Sequence, residues 1–439
     1  MKKIRLKYLA HVNPSTPAFE KLSEETKVTF LPMEAVWPGE RLDITRQRTK
    51  REVAAGYTRF QDGDLLVPKI TPTFEAGRAV LIRKLLGGVG AGTTELHVLR
   101  PKERVDSRFL FYVVNTHSFL KLGEAEMYGV AGQQRVPDDF LRDLLVSIPS
   151  SGEQRRIANF LDVETLRIDR LLGLREEQDA KLQERRYAFI SEELVPGSLG
   201  RAPSSAMYSW LPDLPGDLPL VKLGYLCRIQ NGLTVDGARN VTGDVVTRPY
   251  LRVANVQAGR LELNSVSEIA VPRAVADRCT LRRGDVLMTE GGDLDKLGRG
   301  AVWDGEIPDC LHQNHVFALR PDSAVLDARY LSLLTQTLHG RCYFESTGSK
   351  TTNLASTNSS KILGFPIPLP SLERQKRLVA QVEEGVRVIA EARALLRKQQ
   401  ALLAERRQAL ITAAVTGQFD VSTASGRNLT DVTDGVTRA

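Results

Sequence analysis

A chain that repeats itself at half its own length must build two like units, because each copy carries the same apolar pattern to bury. In this chain of 439 residues the interval is about 221. Gly63-Asp64-Leu65-Leu66 recurs as Gly284-Asp285-Val286-Leu287, and Leu99-Arg100-Pro101 recurs as Leu319-Arg320-Pro321. Asp106, Arg108, Phe109 and Leu110 match Asp327, Arg329, Tyr330 and Leu331. Ile148-Pro149 matches Ile367-Pro368, and Glu184-Arg185-Arg186 matches Glu405-Arg406-Arg407. Single triplets coincide by chance; five in the same order do not.

Each copy has two parts. The first, about 150 residues, holds short β-branched runs such as Arg78-Ala79-Val80-Leu81-Ile82 and Val316-Phe317-Ala318-Leu319. Glycine-rich turns are expected between them, at residues 87–92 and at Gly291-Gly292-Asp293. These features predict a mixed α/β domain with a strongly bent sheet and a few helices, the clearest over residues 107–122. The second part is a long helix. Ser151 with Gln154 makes a capping-box pattern after Pro149, and Ser371 follows Pro370 in the other copy. No proline intervenes before Pro196 in the first helix or before Gly417 in the second. Each therefore runs for about 40 residues, roughly 60 Å.

The heptad positions say what these helices bury. Leu161, Ile168, Leu182 and Phe189 fall seven or fourteen apart, with Arg175 interrupting. In the second copy Val382, Ile389, Leu396, Leu403 and Leu410 continue the register without a break. Such a seam needs a partner helix, and the simplest partner is the other copy. Two separate solvated coiled coils are the alternative. The flanking row mixes Ile157 and Leu171 with Glu164, Gln178 and Arg185, a surface that can also dock a helix from another subunit.

Composition excludes more than it assigns. A net charge of +7 from 60 basic and 53 acidic residues leans only mildly toward polyanions. Four cysteines without paired spacing fit a reducing compartment and no disulfide or zinc framework. The N-terminus lacks a signal-like apolar run and no stretch has membrane-span length, so a cytoplasmic location is expected.

Catalytic motifs are wanting. There is no phosphate loop with its lysine and hydroxyl, and the glycine run at 87–92 reads better as a mobile turn. Asn13-Pro14-Ser15-Thr16 falls short of an adenine methyltransferase loop, lacking the second proline and the aromatic. Cys310-Leu311-His312-Gln313-Asn314-His315 invites a metal but offers no fourth ligand, and a satisfied polar strand end or a DNA contact is the better reading. No nucleophile elbow anchors a triad among the six histidines. No catalytic or metal residue is assigned.

At this point the chain resembles the specificity subunit of type I restriction-modification systems over nearly its whole length. The helix ends carry the likeness, Leu182-Gln183-Glu184-Arg185-Arg186-Tyr187-Ala188-Phe189-Ile190 and Leu402-Leu403-Ala404-Glu405-Arg406-Arg407-Gln408-Ala409-Leu410-Ile411. So do the exit Ala414-Val415-Thr416-Gly417-Gln418-Phe419-Asp420 and the starts Glu153-Gln154-Arg155-Arg156-Ile157 and Arg374-Gln375-Lys376-Arg377-Leu378. Two departures stand out. Val67-Pro68-Lys69-Ile70-Thr71 replaces the Thr289-Glu290-Gly291-Gly292-Asp293 segment of the second copy, and Val195-Pro196-Gly197 replaces the Ala-Val-Thr-Gly ending. The first departure implies that the two domains read different sequences.

The resemblance implies an α+β protein in which two mixed α/β target-recognition domains are joined by two long helices packed as an antiparallel coiled coil, a pseudo-twofold repeat. The expected order is residues 1–150, target-recognition domain 1; 151–196, central spacer helix; 197–217, linker; 218–370, target-recognition domain 2; 371–417, distal spacer helix; and 418–439, a disordered tail. Each domain would read one half of a split site in double-stranded DNA. The helices would fix the gap and dock modification (methyltransferase) subunits, two of them, with an ATP-dependent motor-nuclease restriction subunit joining for cleavage. S-adenosylmethionine, Mg2+ and ATP would belong to those partners and none to this chain. Candidate DNA contacts are Thr93, Thr94, Gln133, Gln134 and Arg135 in the first copy. In the second they are Lys296, Arg299, Gln313, Asn314, Ser349, Lys350, Thr351 and Thr352. Competing classes are a fused methyltransferase, which the missing cofactor loop argues against, and a plain scaffold, which leaves the globular repeats unexplained. An RNA-binding protein is disfavoured by 6% aromatics and no RNP-like run.

Overall fold

The computed structural model describes residues 2–36, 42–130, 132–199, 220–234, 243–292, 297–350 and 355–422. The chain packs as two compact units, Met1–Glu176 with Arg397–Ala439, and Glu177–Leu396.

The first unit runs through β1 (Lys2–Arg5), β2 (Ala10–Val12), α1 (Pro17–Glu20), β3 (Lys27–Leu31), β4 (Gln47–Thr49) and β5 (Thr58–Gln61). It continues with β6 (Leu65–Pro68), β7 (Val80–Leu81), β8 (Val89–Gly92), β9 (Leu96–Pro101), α2 (Ser107–Val113), α3 (His117–Ala125), α4 (Asp138–Asp143) and β10 (Leu145–Ile148). The long helix α5 (Ser151–Leu194) follows. One antiparallel sheet has the order β2-β9-β6-β7; a second has β4-β3-β8-β5, with β3 and β8 parallel. Strand β6 is apolar throughout because both of its faces are covered. Its alternate side chains serve two cores. Leu65 and Val67 face the helices with Phe109, Leu110 and Leu141, whereas Leu66 joins Leu31, Phe60 and Val98 toward the second sheet.

Two expectations are corrected here. The glycine run at 87–92 is a turn only at Gly87 and Gly88, where φ is 65° and 72°. Val89–Gly92 is instead a buried central strand, and a side chain at Gly90 or Gly92 would collide with the Phe60 ring or the Leu31 carbonyl. The helix foreseen over 107–122 is two helices. The Thr116 hydroxyl accepts from the Phe119 N–H and donates to the Val113 carbonyl at 2.8 Å, which caps a new helix.

The second unit repeats the plan. It holds β11 (Leu220–Lys222), β12 (Cys227–Asn231), β13 (Val245–Leu251), β14 (Val256–Gln257), β15 (Arg260–Leu261), β16 (Ser267–Pro272), α6 (Arg273–Cys279) and β17 (Val286–Thr289). Next come β18 (Gly291–Gly292), β19 (Gly300–Val302), β20 (Leu311–His312), β21 (Val316–Pro321), α7 (Ala328–Leu334) and α8 (Leu338–Thr347). The unit then runs through β22 (Ser349–Lys350), β23 (Ala355–Ser356), α9 (Ser359–Leu363), β24 (Pro366–Pro368) and the long helix α10 (Leu372–Thr416). The sheet β12-β21-β17-β19 matches β2-β9-β6-β7, and β13 with β20 forms the parallel pair that β3 and β8 form above. Gly291-Gly292 is a short strand pairing with β23 and not a turn.

The recurring residues turn out to be framework. Gly63 and Gly284 hold φ near +89° and +90°. The next residues, Asp64 and Asp285, are wholly buried, and each carboxylate is gripped by the arginine of the Leu-Arg-Pro motif, Arg100 or Arg320. Asp106 and Asp327 cap α2 and α7. The backbone N–H of each donates to a helix-start glutamine, Gln154 or Gln375, at 2.9 Å. Gln154 is thereby taken from the expected capping box; its amide also donates to the Pro149 carbonyl, and Ser150 supplies the cap by accepting from the Glu153 N–H.

In each unit half of α5 packs on half of α10 in opposite chain directions. In the first, Leu161 lies with Ile411 and Ala414, and Asp169 pairs with Arg407 at 2.9 Å. In the second, Ile190 lies with Val379 and Val382, and Asp179 pairs with Arg393 at 2.7 Å. The seam is buried at Leu161, Ile168 and Val382, and half-buried at Leu182, Phe189, Ile389, Leu396, Leu403 and Leu410. The chain stays packed past residue 417, since the Phe419 ring stacks on Phe160 with centroids 5.6 Å apart. Residues 200–217 of the expected linker and 423–439 of the tail lie outside the described residues. No described helix is long and apolar enough to cross a membrane.

Candidate nucleic-acid interface

Most of the described sites foreseen from sequence gather where the two sheets of each unit meet. In the first unit the chain leaves β8 at Gly92, crosses through Thr93, Thr94 and Glu95, and enters β9 at Leu96. The Thr93 N–H donates to the Leu31 carbonyl at 3.0 Å, and the Thr93 hydroxyl accepts from the Glu95 N–H at 3.2 Å. Residues 133–135 come alongside: the Thr71 N–H donates to the Gln134 carbonyl at 3.0 Å, and the Thr71 hydroxyl accepts from the Gln134 N–H at 3.2 Å. Thus all five first-copy candidates are brought together. Thr94 and Gln133 are exposed, and Thr93, Gln134 and Arg135 half-buried. Arg135, however, commits its fork to Glu95 at 2.9 and 2.8 Å and to the Gln133 carbonyl, so it braces the two segments. That bond holds the Glu95 carboxyl below the usual carboxylate range.

Behind the crossover lies a buried polar brace. Burial lowers the His97 pKa to about 4, with the Asp138 carboxylate 3.1 Å from Nδ1 pulling the other way, and Nε2–H donates to the Val136 carbonyl at 3.0 Å. Asn13 accepts from the Val98 N–H at 2.8 Å and donates to Asp138 at 2.7 Å. In front, a cleft of about 380 Å3 is lined by Asn13, Ser15, Tyr57, Arg59 and Lys69. On the edge strand β4, Gln47 and Arg48 are exposed, with Arg48 stacked 4.2 Å over the Phe30 ring.

In the second unit Gln313, Asn314 and His315 make the equivalent crossover between β20 and β21. The Gln313 N–H donates to the Leu251 carbonyl at 2.9 Å, as Thr93 does to Leu31, and the Asn314 N–H donates to Leu233 at 2.8 Å. Ser349 and Lys350 reach the same region through the ladder that joins β22, β23 and β18. Arg299 is bonded elsewhere, to Gln257 at 3.1 Å, in a small cleft with Tyr187, Gln336 and Arg341. Lys296, Thr351 and Thr352 lie outside the described residues. His312 is a satisfied strand end, with Nδ1 bonded to the Val316 carbonyl at 2.6 Å and Nε2 3.2 Å from the Gln230 amide. Burial lowers its pKa and pushes the neighbouring Cys310 thiol up to about 12, a poor nucleophile. No cluster of metal-ligand residues occurs among the described residues.

The candidate contacts chosen from sequence did not include Lys69, Glu95, Glu290 or His315, although the segments that hold them were singled out. Glu290 and His315 are bonded to each other at 2.5 Å. The 221-residue offset applied to Lys69 would have pointed to Glu290.

The fold and site define a two-unit protein whose surface crossovers differ on a common frame. The chain resembles the specificity subunits of type I restriction-modification systems. It is 39% identical over 158 residues to the Escherichia coli type I restriction enzyme EcoEI specificity subunit, covering 35% of this chain and 26% of that protein. It is 35% identical over 153 residues to the EcoAI specificity subunit, also of Escherichia coli, covering 34% and 25%. The alignments thus span about a quarter of these relatives' length. A chain from a structure described as the basis of complex assembly and conformational transition of the type I R-M system matches with a TM-score of 0.69 and 19% identity. That match covers 94% of this chain and 97% of the other, a likeness of fold. No protein-family profile matches the chain.

Proposed function

We propose that this chain is the DNA sequence-specificity subunit of a cytoplasmic type I restriction-modification complex, with no catalysis or cofactor of its own. Each unit reads one half of a split site in duplex DNA. One observation carries this reading: the two units share a buried frame, Asp64–Arg100 and Asp285–Arg320, yet differ in side chains along the surface crossovers 93–95 and 313–315. Common frames with divergent polar loops are what two readers of unlike half-sites require. The names of the relatives support it.

In this reading α5 and α10 act as spacer and as docking surface for two modification subunits, which hold S-adenosylmethionine, and a restriction subunit brings Mg2+ and ATP. Val388, Leu395 and Leu402, seven apart on α10, are exposed large apolar side chains that a partner would cover. The test is coexpression with a type I modification subunit, followed by methylome sequencing and duplex-binding measurements. Adenine methylation at one split, asymmetric site is expected. An assembled complex that binds all duplexes alike would overturn the proposal.

A further inference from the structure

Three chain segments meet at one backbone junction in each unit. In the first, the Lys69 N–H donates to the Glu95 carbonyl at 2.8 Å, and the Val136 N–H donates to the Lys69 carbonyl at 2.9 Å. In the second, the Glu290 N–H donates to the His315 carbonyl at 2.9 Å, and the Thr357 N–H donates to the Glu290 carbonyl at 2.7 Å. The bonds are the same, so Lys69 and Glu290 occupy one structural position, each just past a buried strand, β6 or β17. Glu95 and His315 occupy a second, and Arg135 and Ser356, the residues before Val136 and Thr357, a third.

The frame is constant and the side chains reverse their chemistry. In the first unit the carboxylate of Glu95 is occupied by Arg135, and the Lys69 ammonium has no hydrogen-bond or ion-pair partner among the described residues. Lys69 lines the cleft with Asn13, Tyr57 and Arg59. In the second unit the position holds a carboxylate, and His315 Nδ1 grips one of its oxygens at 2.5 Å, which orients it. The side chains of Lys69 and Glu290 are half-buried, held by their frame and still reachable.

We infer that Lys69 and Glu290 are paired specificity-determining residues, and that they read base edges of opposite hydrogen-bond polarity in the two half-sites. Lys69 donates to an acceptor edge, as guanine O6 and N7 offer in the major groove. Glu290 accepts from an exocyclic amino group, as cytosine N4 or adenine N6 offers. His315 is a positioning residue for that carboxylate. The inference rests on the functional reading above and goes beyond it by assigning residue and polarity.

The experiment uses the complex with its modification subunit, as wild type, Lys69→Met, Glu290→Gln and His315→Gln, read by methylome sequencing and by competition between cognate, single-mismatch and random duplexes. Glu290→Gln is expected to relax one base pair in one half-site, and Lys69→Met one base pair in the other. Discrimination at that pair should fall about tenfold or more. His315→Gln should weaken the same base pair as Glu290→Gln, to a lesser degree. If a variant abolishes methylation, the competition decides: a lost preference for the cognate duplex supports the inference. An equal loss on random duplex marks a phosphate contact and overturns it. Unchanged half-sites in both variants also overturn it. A wild-type complex with no split site at all would instead defeat the functional reading.

Discussion

Arg320 holds the buried carboxylate of Asp285 with two parallel bonds, Nε to Oδ1 at 2.8 Å and Nη2 to Oδ2 at 2.7 Å. Asp285 is wholly buried and also accepts from the Arg282 N–H, so it fixes the turn that starts β17. Arg320→Met would leave that carboxylate buried without its counter-charge. A loss of about 3–5 kcal/mol in urea unfolding is expected. Adding Asp285→Asn should recover part of it; a single variant as stable as wild type would refute the framework role.

The seam residue Phe189 lies directly over Gly385, where a Cβ would collide with its ring. Gly385→Leu should therefore destabilise the second unit by about 1–3 kcal/mol. Phe189→Ala in the same chain should relieve much of the strain. Thermal unfolding of the three variants checks this, and additive losses would argue against direct contact.

Stability should fall between pH 7 and 5. Burial lowers the pKa of His97 and of His339 from 6.5 to about 4. The unfolded chain takes up these protons near pH 6.5 and the folded chain only near 4, so the stabilisation is whole above the first value and lost on descending toward the second. Each should cost roughly 2 kcal/mol by pH 5. Depressed carboxylates such as Glu95 act lower, below the ordinary carboxylate range. Unfolding free energies that stay flat from pH 7 to 5 would contradict the neutral, buried imidazoles.

Inserting four residues, about one helical turn, near the middle of α5 should change the gap between half-sites and leave the half-sites themselves intact. Methylome sequencing of a strain carrying the insertion reads both. A changed half-site would count against the spacer role.

Much of the fold was legible in the sequence. The repeat interval and the apolar seven-residue register are patterns in the order of residues. Local hydrogen bonding was harder. Ser150 and not Ser151 caps α5, and Thr116 splits the helix expected over residues 107–122, because a hydroxyl's partner depends on the backbone it meets.

The sequence by itself determined that there are two like units and that each long helix needs a partner, since periodicity dictates which faces must be buried. Only the tertiary structure decided that residues 87–92 include a buried strand, that Arg135 is a brace, and that Lys69 and Glu290 share one position. Those facts depend on segments dozens of residues apart meeting through backbone hydrogen bonds, which no local pattern encodes.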